Sequence, residues 1–532
     1  MATAWLVSLT EEFQKLQQHH PRVTTGVLGA VVGTVILGSL LRRRHHASTS
    51  EPQGRKLPSP RGWLPIVGHV WKLSESPHLQ MVEWAKELGP IYEISMGGRP
   101  FLVLNDAEVV RDLLEINGQK NSNRLTNTVV KLMGHDGLIF AWGPDNAFLK
   151  TSRRLMLGSV SKNNLERKYP LLYNTETKYM LEKLHKEGVA PEGTKLANHC
   201  YLYTINVAMH LLFGVRFSSP TDPKFEELHK LAVEFAELGL AMLIDCPKPL
   251  EFLIRWYKER AIDCQNRFQS IFKRYIQELR DKRAQQKPED WYPCLMGDIL
   301  DVEEKENLSA IELENIAATV MLAATDTTAA TIQNTLNILV NHPEVQAKAQ
   351  QELDQVVGSD QLPREKDLDQ LPYIQSIVTE VLRYRPPLWL NLPHMTGERQ
   401  IYKGYEIPAG LGIMHNIYAT NFDPSVHANP EVFNPDRFYQ DERPLTGGHQ
   451  RDHWSFGAGR RLCPGSIFAE KSIQLLTARV LWSYTVACPT DKHGQLVPVP
   501  ITDIKLPLAF PEDCNVRFIP RRQNIQELFA NE

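Results

Sequence analysis

Between Glu314 and Glu344 the chain carries a single charged residue, Asp326. The stretch is bounded like a helix. Ser309-Ala310-Ile311-Glu312 has the spacing of a capping box, and Asn341-His342-Pro343 supplies a stop. A helix this long with one charge has to be buried nearly all round. A membrane-spanning reading fails: the segment is rich in Thr, Asn and Gln, and a central Asp costs about 2.5–3.5 kcal/mol on insertion. The stretch therefore predicts the central helix of a large soluble core in a mostly helical protein. A chain of 532 residues can bury such a core, and no low-complexity spacer or internal repeat divides its C-terminal bulk. A formal net charge of −3 gives no basis for nucleic-acid binding.

Asp326 itself needs an explanation, because a lone buried carboxylate is costly without partners or a task. Its context is Ala323-Ala324-Thr325-Asp326-Thr327-Thr328. Small residues leave room beside the helix, and hydroxyls surround the acid. Two readings stand on these residues alone. The acid is satisfied by local Thr hydroxyls or a distant lysine, or it has a chemical role.

A second helix is expected over Pro372–Tyr384, with proline in its first turn. Ile374, Ile377, Val378, Val381 and Leu382 form one apolar face. Glu380 and Arg383 lie off that face at i, i+3. Alone they read as a solvated ion pair worth a few tenths of a kcal/mol. Pro386-Pro387 follows, and downstream stands Phe433-Asn434-Pro435-Asp436-Arg437-Phe438.

The densest stretch is Phe456-Gly457-Ala458-Gly459-Arg460-Arg461-Leu462-Cys463-Pro464-Gly465. Glycines let the backbone approach a bulky group, and neighbouring cations favour thiolate over thiol. Cys463 is either a loop cysteine in a Gly-rich turn or a thiolate placed to bind a metal. A dinucleotide fingerprint fails at Leu462, where a third glycine is required. No C-x-x-C occurs, and Cys200, Cys246, Cys264, Cys294, Cys488 and Cys514 are scattered. That argues against zinc, iron–sulfur and covalent c-type haem sites, and against a disulfide framework.

The N-terminus is of another kind. Val23 to Leu41 lacks any charge and as a helix would span roughly 29 Å. Arg42-Arg43-Arg44 follows at once. The expected order is a short lumenal N-terminus (1–22), a transmembrane anchor (23–41), a basic and proline-rich hinge (42–61) and a catalytic domain (62–532) facing the cytosol. A cleaved signal peptide would be shorter and followed by small residues, and a mitochondrial transit peptide would avoid Glu11 and Glu12.

Phe456, Gly459, Arg461, Cys463 and Gly465 resemble, position for position, the haem-binding signature F-x-x-G-x-R-x-C-x-G of the cytochrome P-450 superfamily. Ala323–Thr327 resembles its distal-helix motif, Glu380-x-x-Arg383 its E-x-x-R, Pro435-x-Arg437-Phe438 its P-x-R-F, and Leu57–Gly68 the proline-rich hinge of microsomal members. The resemblance implies the cytochrome P-450 fold, mainly α with a smaller β-rich lobe, preceded by one transmembrane helix.

It further implies a non-covalent haem (heme, iron protoporphyrin) with Cys463 as axial iron ligand and Phe456 shielding the sulfur. Arg461, His394 and Arg153 would hold the propionates. Thr327 would hydrogen-bond dioxygen, and Asp326 would relay protons through water. Glu380, Arg383 and Arg437 would form a buried structural triad. Two positions depart from the family pattern. Ala324 replaces the usual glycine, and Leu149 stands where the family has the tryptophan of W-x-x-x-R, which unsettles the oxygen groove and the propionate set.

The implied reaction is monooxygenation of a small lipophilic substrate: a steroid, terpenoid, fatty acid or xenobiotic. Electrons would come from an NADPH-dependent flavoprotein reductase in the endoplasmic reticulum membrane, with a b-type cytochrome as a second donor. Arg460 and Lys471 are candidate docking cations. The expected pocket draws on Thr128–Trp142, Phe235–Ile244, Ala323–Thr327, Leu388–Leu392 and Ile504–Leu508. Two rival functions remain. One is a haem-thiolate isomerase or dehydratase that rearranges a peroxide without a reductase, and the other is a non-catalytic membrane haem sensor.

Overall fold

The uncharged stretch is one continuous helix, Ala310–Val340. Its capping box is formed: the Ser309 amide donates to the Glu312 carboxylate at 2.9 Å, and the Glu312 amide donates to Ser309 Oγ at 3.4 Å. Two of the orphan amides at the helix start are thereby satisfied. The computed structural model describes residues 54–64, 67–73, 76–169, 172–240, 255–439, 451–501, 509–523 and 525–531. The lumenal segment 1–22, the apolar span 23–41 and the hinge as far as residue 53 lie outside the described residues. So do the pocket candidates Leu243, Ile244 and Ile504–Leu508. Among the described residues no helix is long and apolar enough to cross a membrane.

The helices that frame the site are α1 (Thr128–Met133), α2 (Ala147–Ser159), α3 (Leu172–Gly188), α4 (Ala197–Phe213), α5 (Pro223–Leu240), α6 (Arg255–Gln285), α7 (Ala310–Val340), α8 (Pro343–Val356), α9 (Pro372–Tyr384) and α10 (Ser466–Ser483). α7 packs most extensively on α4 and also meets α5, α6, α9 and α10. It is buried along most of its length, as a helix with one charge requires. α9 begins with Pro372 and lacks a side-chain cap on Leu371. Glu352 of α8 supplies one from outside, accepting from the Tyr373 amide at 2.8 Å and the Ile374 amide at 3.2 Å.

The strands gather in a smaller lobe. One mixed sheet has the order β1-β2-β8-β5-β3, from Ile91–Met96, Arg99–Leu104, Gly412–His415, His394–Met395 and Asn123–Arg124. β1 and β2 form a hairpin closed by Gly97 and Gly98, both at positive φ, as a tight two-residue turn requires. β2 and β8 are parallel; the remaining pairs are antiparallel. A second sheet has the order β4-β10-β9 (Thr194–Lys195, Asn515–Pro520, Tyr484–Ala487), and β6 (Gln400–Tyr402) pairs with β7 (Tyr405–Ile407). The hinge residues in view lie on this lobe: Glu93 donates to the Pro58 carbonyl at 2.8 Å, and the His69 ring meets the Pro60 carbonyl at 3.0 Å.

One large apolar cluster runs through α1–α10, while separate clusters stabilise the β-rich lobe. Trp454 and Ala458, at the start of the cysteine loop, belong to a lobe cluster together with Leu113 and Leu114. The loop therefore sits where the helical body meets the lobe.

Candidate active site

The cysteine loop is shaped by two glycines. Gly457 and Gly459 both sit at positive φ, +76° and +59°. A Cβ on Gly459 would lie 1.8 Å from the Leu114 carbonyl oxygen, so no other residue fits without moving the lobe. The loop then closes on itself: the Cys463 amide donates to the Phe456 carbonyl at 2.9 Å, and the Leu462 amide to the Gly459 carbonyl at 3.0 Å. Gly465 is the residue before α10, and its N–H points at the Cys463 sulfur. The sulfur thus lies at a helix N-terminus, where partial positive charge favours an anion.

Cys463 is half-buried. Burial pushes its thiol up; the Gly465 N–H and Arg153 pull it down, and burial prevails. Of the neighbouring cations it is Arg153, not the adjacent Arg460 or Arg461, that favours the thiolate. Arg461 turns away and donates to the carbonyls of Ser122 (2.8 Å), Phe140 (3.2 Å) and Gly143 (2.7 Å). Arg460 lies 3.8 Å from Asp145. Arg153, on α2, is the cation that reaches the sulfur, and it donates to the Leu462 carbonyl at 2.7 Å.

Arg153 and Arg461 belong to a buried cluster with a third arginine, Arg124 of β3. Arg124 donates to the Ala141 carbonyl at 3.1 Å and to the Leu392 carbonyl. Its pKa is held well below the ordinary range by burial and by the charges of Arg461 and Arg153. Arg461 is lowered to about 10 by burial, which outweighs the opposing pull of Asp145. Arg124 is depressed by both neighbouring charges and Arg461 by Arg153, and a cluster of three cations fits the paired carboxylates of haem.

Arg124 escaped the sequence reading, because Asn121-Ser122-Asn123-Arg124 gives no sign that it would meet Arg153 and Arg461. His394 is in the cluster, but burial and Arg124 hold its pKa well below the ordinary value. Its Nδ1 faces the Asn121 carbonyl at 3.0 Å and so must carry the proton. With no anion beside it among the described residues, burial and the arginines favour its neutral form. Leu149 is buried in the apolar core, close to the loop's arginine on α2.

On α7 a short face breaks the burial: Ala323 is exposed, and Ala324 and Thr327 are half-buried. In the middle of a core helix this marks an internal opening. The Thr327 hydroxyl donates to the Ala323 carbonyl at 2.6 Å, so the oxygen presents lone pairs to that opening. Asp326 is 6% exposed and its Oδ1 is unpartnered. The neighbouring hydroxyls do not serve it: Thr325 donates to Met321 O at 2.7 Å and Thr331 to Thr327 O at 2.8 Å. The one side chain that eases its ionisation is Tyr201 of α4. Burial raises the carboxyl from 3.8 to about 6, against the opposing effect of Tyr201. A group near that value exchanges protons at neutral pH.

Glu380 and Arg383 are not solvated. Both are fully buried, joined by two hydrogen bonds of 2.7 and 2.8 Å. Periodicity alone reads the pair as solvated, but residues 421–437 form a second layer over the polar side of α9 and bury it, the arrangement the resemblance implied. Arg437 completes the triad, 3.1 Å from Glu380, and the Asn434 amide donates to Glu380 at 2.8 Å. Asn421 connects the triad to the cysteine loop. Its carbonyl accepts from Arg383 at 3.1 Å, and its side-chain oxygen accepts from the Trp454 amide at 2.9 Å.

Among the apolar pocket candidates, Val129, Val130, Ile139, Phe140, Phe235 and Leu238 fall in the main core cluster. Trp389 does not; it packs in a separate cluster and stacks on His78 at 4.9 Å. Lys471 is not a free docking cation, since its side chain is mostly buried and paired with Glu365 at 3.0 Å.

The Cytochrome P450 family profile matches residues 58–502. The chain is 27% identical over 493 residues to Cytochrome P450 monooxygenase 58 of Postia placenta, covering 90% of this chain and 92% of that one. It is 29% identical over 458 residues to Cytochrome P450 monooxygenase patI of Aspergillus clavatus, covering 83% and 84%. It is 28% identical over 506 residues to the soybean 3,9-dihydroxypterocarpan 6A-monooxygenase, covering 92% and 97%. In fold it resembles a zebrafish cytochrome P450 solved with abiraterone, and again with progesterone. The TM-scores are 0.70 and 0.71 at 22% identity, over 84% of this chain and 100% and 99% of those chains. The glycine-shaped thiol loop, the arginine cluster and a family match across the described domain together make this chain a haem-binding monooxygenase of the cytochrome P450 family.

Proposed function

We propose that the protein is a membrane-anchored monooxygenase that inserts one atom of O2 into a small lipophilic substrate. Its electrons come from a separate NADPH-dependent flavoprotein reductase, with a b-type cytochrome as a second donor. The observation that carries this reading is the opening at Ala323, Ala324 and Thr327 with a titratable acid, Asp326, beside it. A rearranging isomerase or a sensor has no use for a proton-exchanging acid next to that opening.

Haem bound through Cys463 supplies the oxygen-activating chemistry. The chain's own residues hold and direct it. Cys463 offers one sulfur at the start of α10, steadied by the Gly465 N–H and Arg153. Arg124, Arg153 and Arg461 neutralise the propionate edge. Thr327 presents an acceptor oxygen, and Asp326 takes up and releases protons within reach of neutral pH. Glu380, Arg383 and Arg437 hold the loop in place and take no part in the chemistry.

Val23–Leu41 followed by Arg42-Arg43-Arg44 supports a single-pass anchor in the endoplasmic reticulum membrane, with the catalytic domain in the cytosol. The apolar candidates around Val129–Phe140 and Phe235–Leu238 support a steroid, terpenoid, fatty acid or xenobiotic substrate. The zebrafish structures were solved with abiraterone and with progesterone, and the soybean relative is named for a dihydroxypterocarpan. The test is reconstitution of the full chain in vesicles with an NADPH-dependent reductase and isotopically labelled O2, screened against lipophilic compounds. One labelled oxygen atom in the product supports the reading. Product formed without reductase or O2 overturns it.

A further inference from the structure

A second polar cluster lies away from the cysteine loop, between α3 and α4. Glu176 of α3 is buried, and both its oxygens are taken: Arg216 donates to them at 2.9 and 3.2 Å. The His210 ring of α4 adds a third contact, its Nδ1 lying 3.2 Å from Glu176 Oε1. Burial raises the Glu176 carboxyl, but His210 and Arg216 outweigh it and hold it below its usual value, so it is an ionised acceptor. In the neutral imidazole Nδ1 therefore carries the proton and Nε2 keeps a lone pair. The hydroxyl of Tyr292, in the connection after α6, donates to that lone pair. Gly214, at positive φ, makes room for the phenol: a Cβ there would lie 2.5 Å from its ring. Tyr292 is 46% exposed, whereas His210 is buried. The result is a phenol at the surface whose proton faces a buried base backed by a carboxylate.

Two further phenols lead from this cluster toward the cysteine loop. Tyr203 stands seven residues before His210 on α4, hence on the same helix face and about 10 Å away along the axis. Its hydroxyl lies 2.8 Å from Ser472 Oγ of α10. Tyr173 stands three residues before Glu176 on α3. It donates to the Phe468 carbonyl of α10 at 3.1 Å, and the two rings are 5.3 Å apart. Phe468 follows Cys463 by five residues. Phe468 and Ser472 are one turn apart, so both buried phenols rest on one face of α10. Their partners are a backbone carbonyl and a serine hydroxyl, neither of which keeps a proton at neutral pH. Of the three tyrosines, Tyr292 is the one that faces a base.

We propose that Tyr292 is an oxidisable tyrosine that drains oxidising equivalents from the haem site to the protein surface. Hydrogen peroxide, the product of uncoupled turnover, is the oxidant; it takes electrons from haem and is reduced to water. Tyr292 returns one electron to haem by way of Tyr203 and Tyr173. Its O–H bond breaks, the proton passes to His210 Nε2, and a neutral phenoxyl remains in contact with solvent. The imidazolium keeps its Nδ1–H on Glu176, which balances the new charge. A hydrogen atom from a soluble thiol restores the phenol. The inference rests on bound haem, and on neither the lipophilic substrate nor the reductase.

The test is freeze-quench electron paramagnetic resonance of the ferric holoenzyme mixed with hydrogen peroxide, without reductase or substrate. The parent is expected to show a phenoxyl signal that Tyr292→Phe loses, and the variant is expected to bleach its haem faster. His210→Gln keeps the phenol and removes the base, and it is expected to lose the signal too. A parent without the signal, a signal unchanged in Tyr292→Phe, or an unchanged bleaching rate would overturn the proposal. If His210→Gln does not fold, the parent radical decides by pulsed double resonance in normal and heavy water. An exchangeable proton strongly coupled to the phenoxyl oxygen supports transfer to His210; its absence contradicts it. A phenoxyl at Tyr292 in a protein that inserts no O2 would leave this role standing and overturn the monooxygenase reading alone.

Discussion

The guanidinium of Arg153 donates to the carbonyl of Leu462 at 2.7 Å, one residue before Cys463. An α2 side chain therefore fixes the loop that carries the sulfur and places a positive charge near it. Arg153→Ala removes a charged hydrogen bond worth about 1.5–3 kcal/mol and one third of the cation cluster. The purified variant is expected to lose haem more readily. Transfer of haem to an excess acceptor protein measures this, and a transfer rate equal to the parent's would contradict the role.

Gly459 and Gly457 separate two kinds of glycine requirement. Gly457→Ala meets only the Arg461 carbonyl oxygen at 4.0 Å, so its cost is backbone strain of about 1–2 kcal/mol. Gly459→Ala adds a collision with the Leu114 carbonyl. Haem content should fall modestly in the first variant and be abolished in the second. Equal haem content in both would show that the approach of the lobe to the loop is unimportant.

Glu380 accepts from Arg383, Arg437 and the Asn434 amide with no exposure to solvent. Glu380→Gln leaves two arginines facing a neutral group, which should cost about 3–5 kcal/mol. Asn421→Ala should cost less, about 1–3 kcal/mol, because it removes two neutral hydrogen bonds, one from the Asn421 side-chain amide to the Arg383 carbonyl at 3.0 Å and one from the Trp454 amide to its side-chain oxygen. Denaturant unfolding of both variants tests the order. A milder effect for Glu380→Gln would reverse the account of the triad.

The Asp326 carboxyl is raised from 3.8 to about 6 in the folded protein. A raised carboxyl pKa means that the folded state prefers the protonated acid. Its favourable contribution is therefore full below the unfolded value and is lost as pH rises through about 6. Asp326→Asn removes the penalty of the buried charge. The variant should be more stable than the parent at about pH 8, by up to ~3 kcal/mol, and no more stable near about pH 4. Its coupling should fall, so stability and turnover move in opposite directions. Thermal unfolding at the two pH values provides the check.

The long elements were legible in the sequence for a physical reason. The Ser309 capping box and the Asn341-His342-Pro343 stop bracket α7, observed as Ala310–Val340, and Pro372–Tyr384 is observed with those bounds. Caps, stops and apolar periodicity are local signals. The strands of the lobe were not legible, since pairs such as Asn123–Arg124 and His394–Met395 are too short to show alternation. The turning of Arg461 toward the carbonyls of Ser122, Phe140 and Gly143 and the pairing of Lys471 with Glu365 depend on residues far away in the chain. Arg124 and Asn421 were missed for the same reason. Each acquires its role from a neighbour brought by the fold, and spacing carries no record of that.

The central claim is that Cys463 binds haem iron as a thiolate although burial alone favours the thiol. The most direct measurement is the absorption spectrum of the reduced, CO-bound protein beside a Cys463→Ser variant. The account predicts the strongly red-shifted Soret band of thiolate ligation in the parent and its loss in the variant. A parent spectrum without that shift, or a shift that survives the substitution, would contradict it.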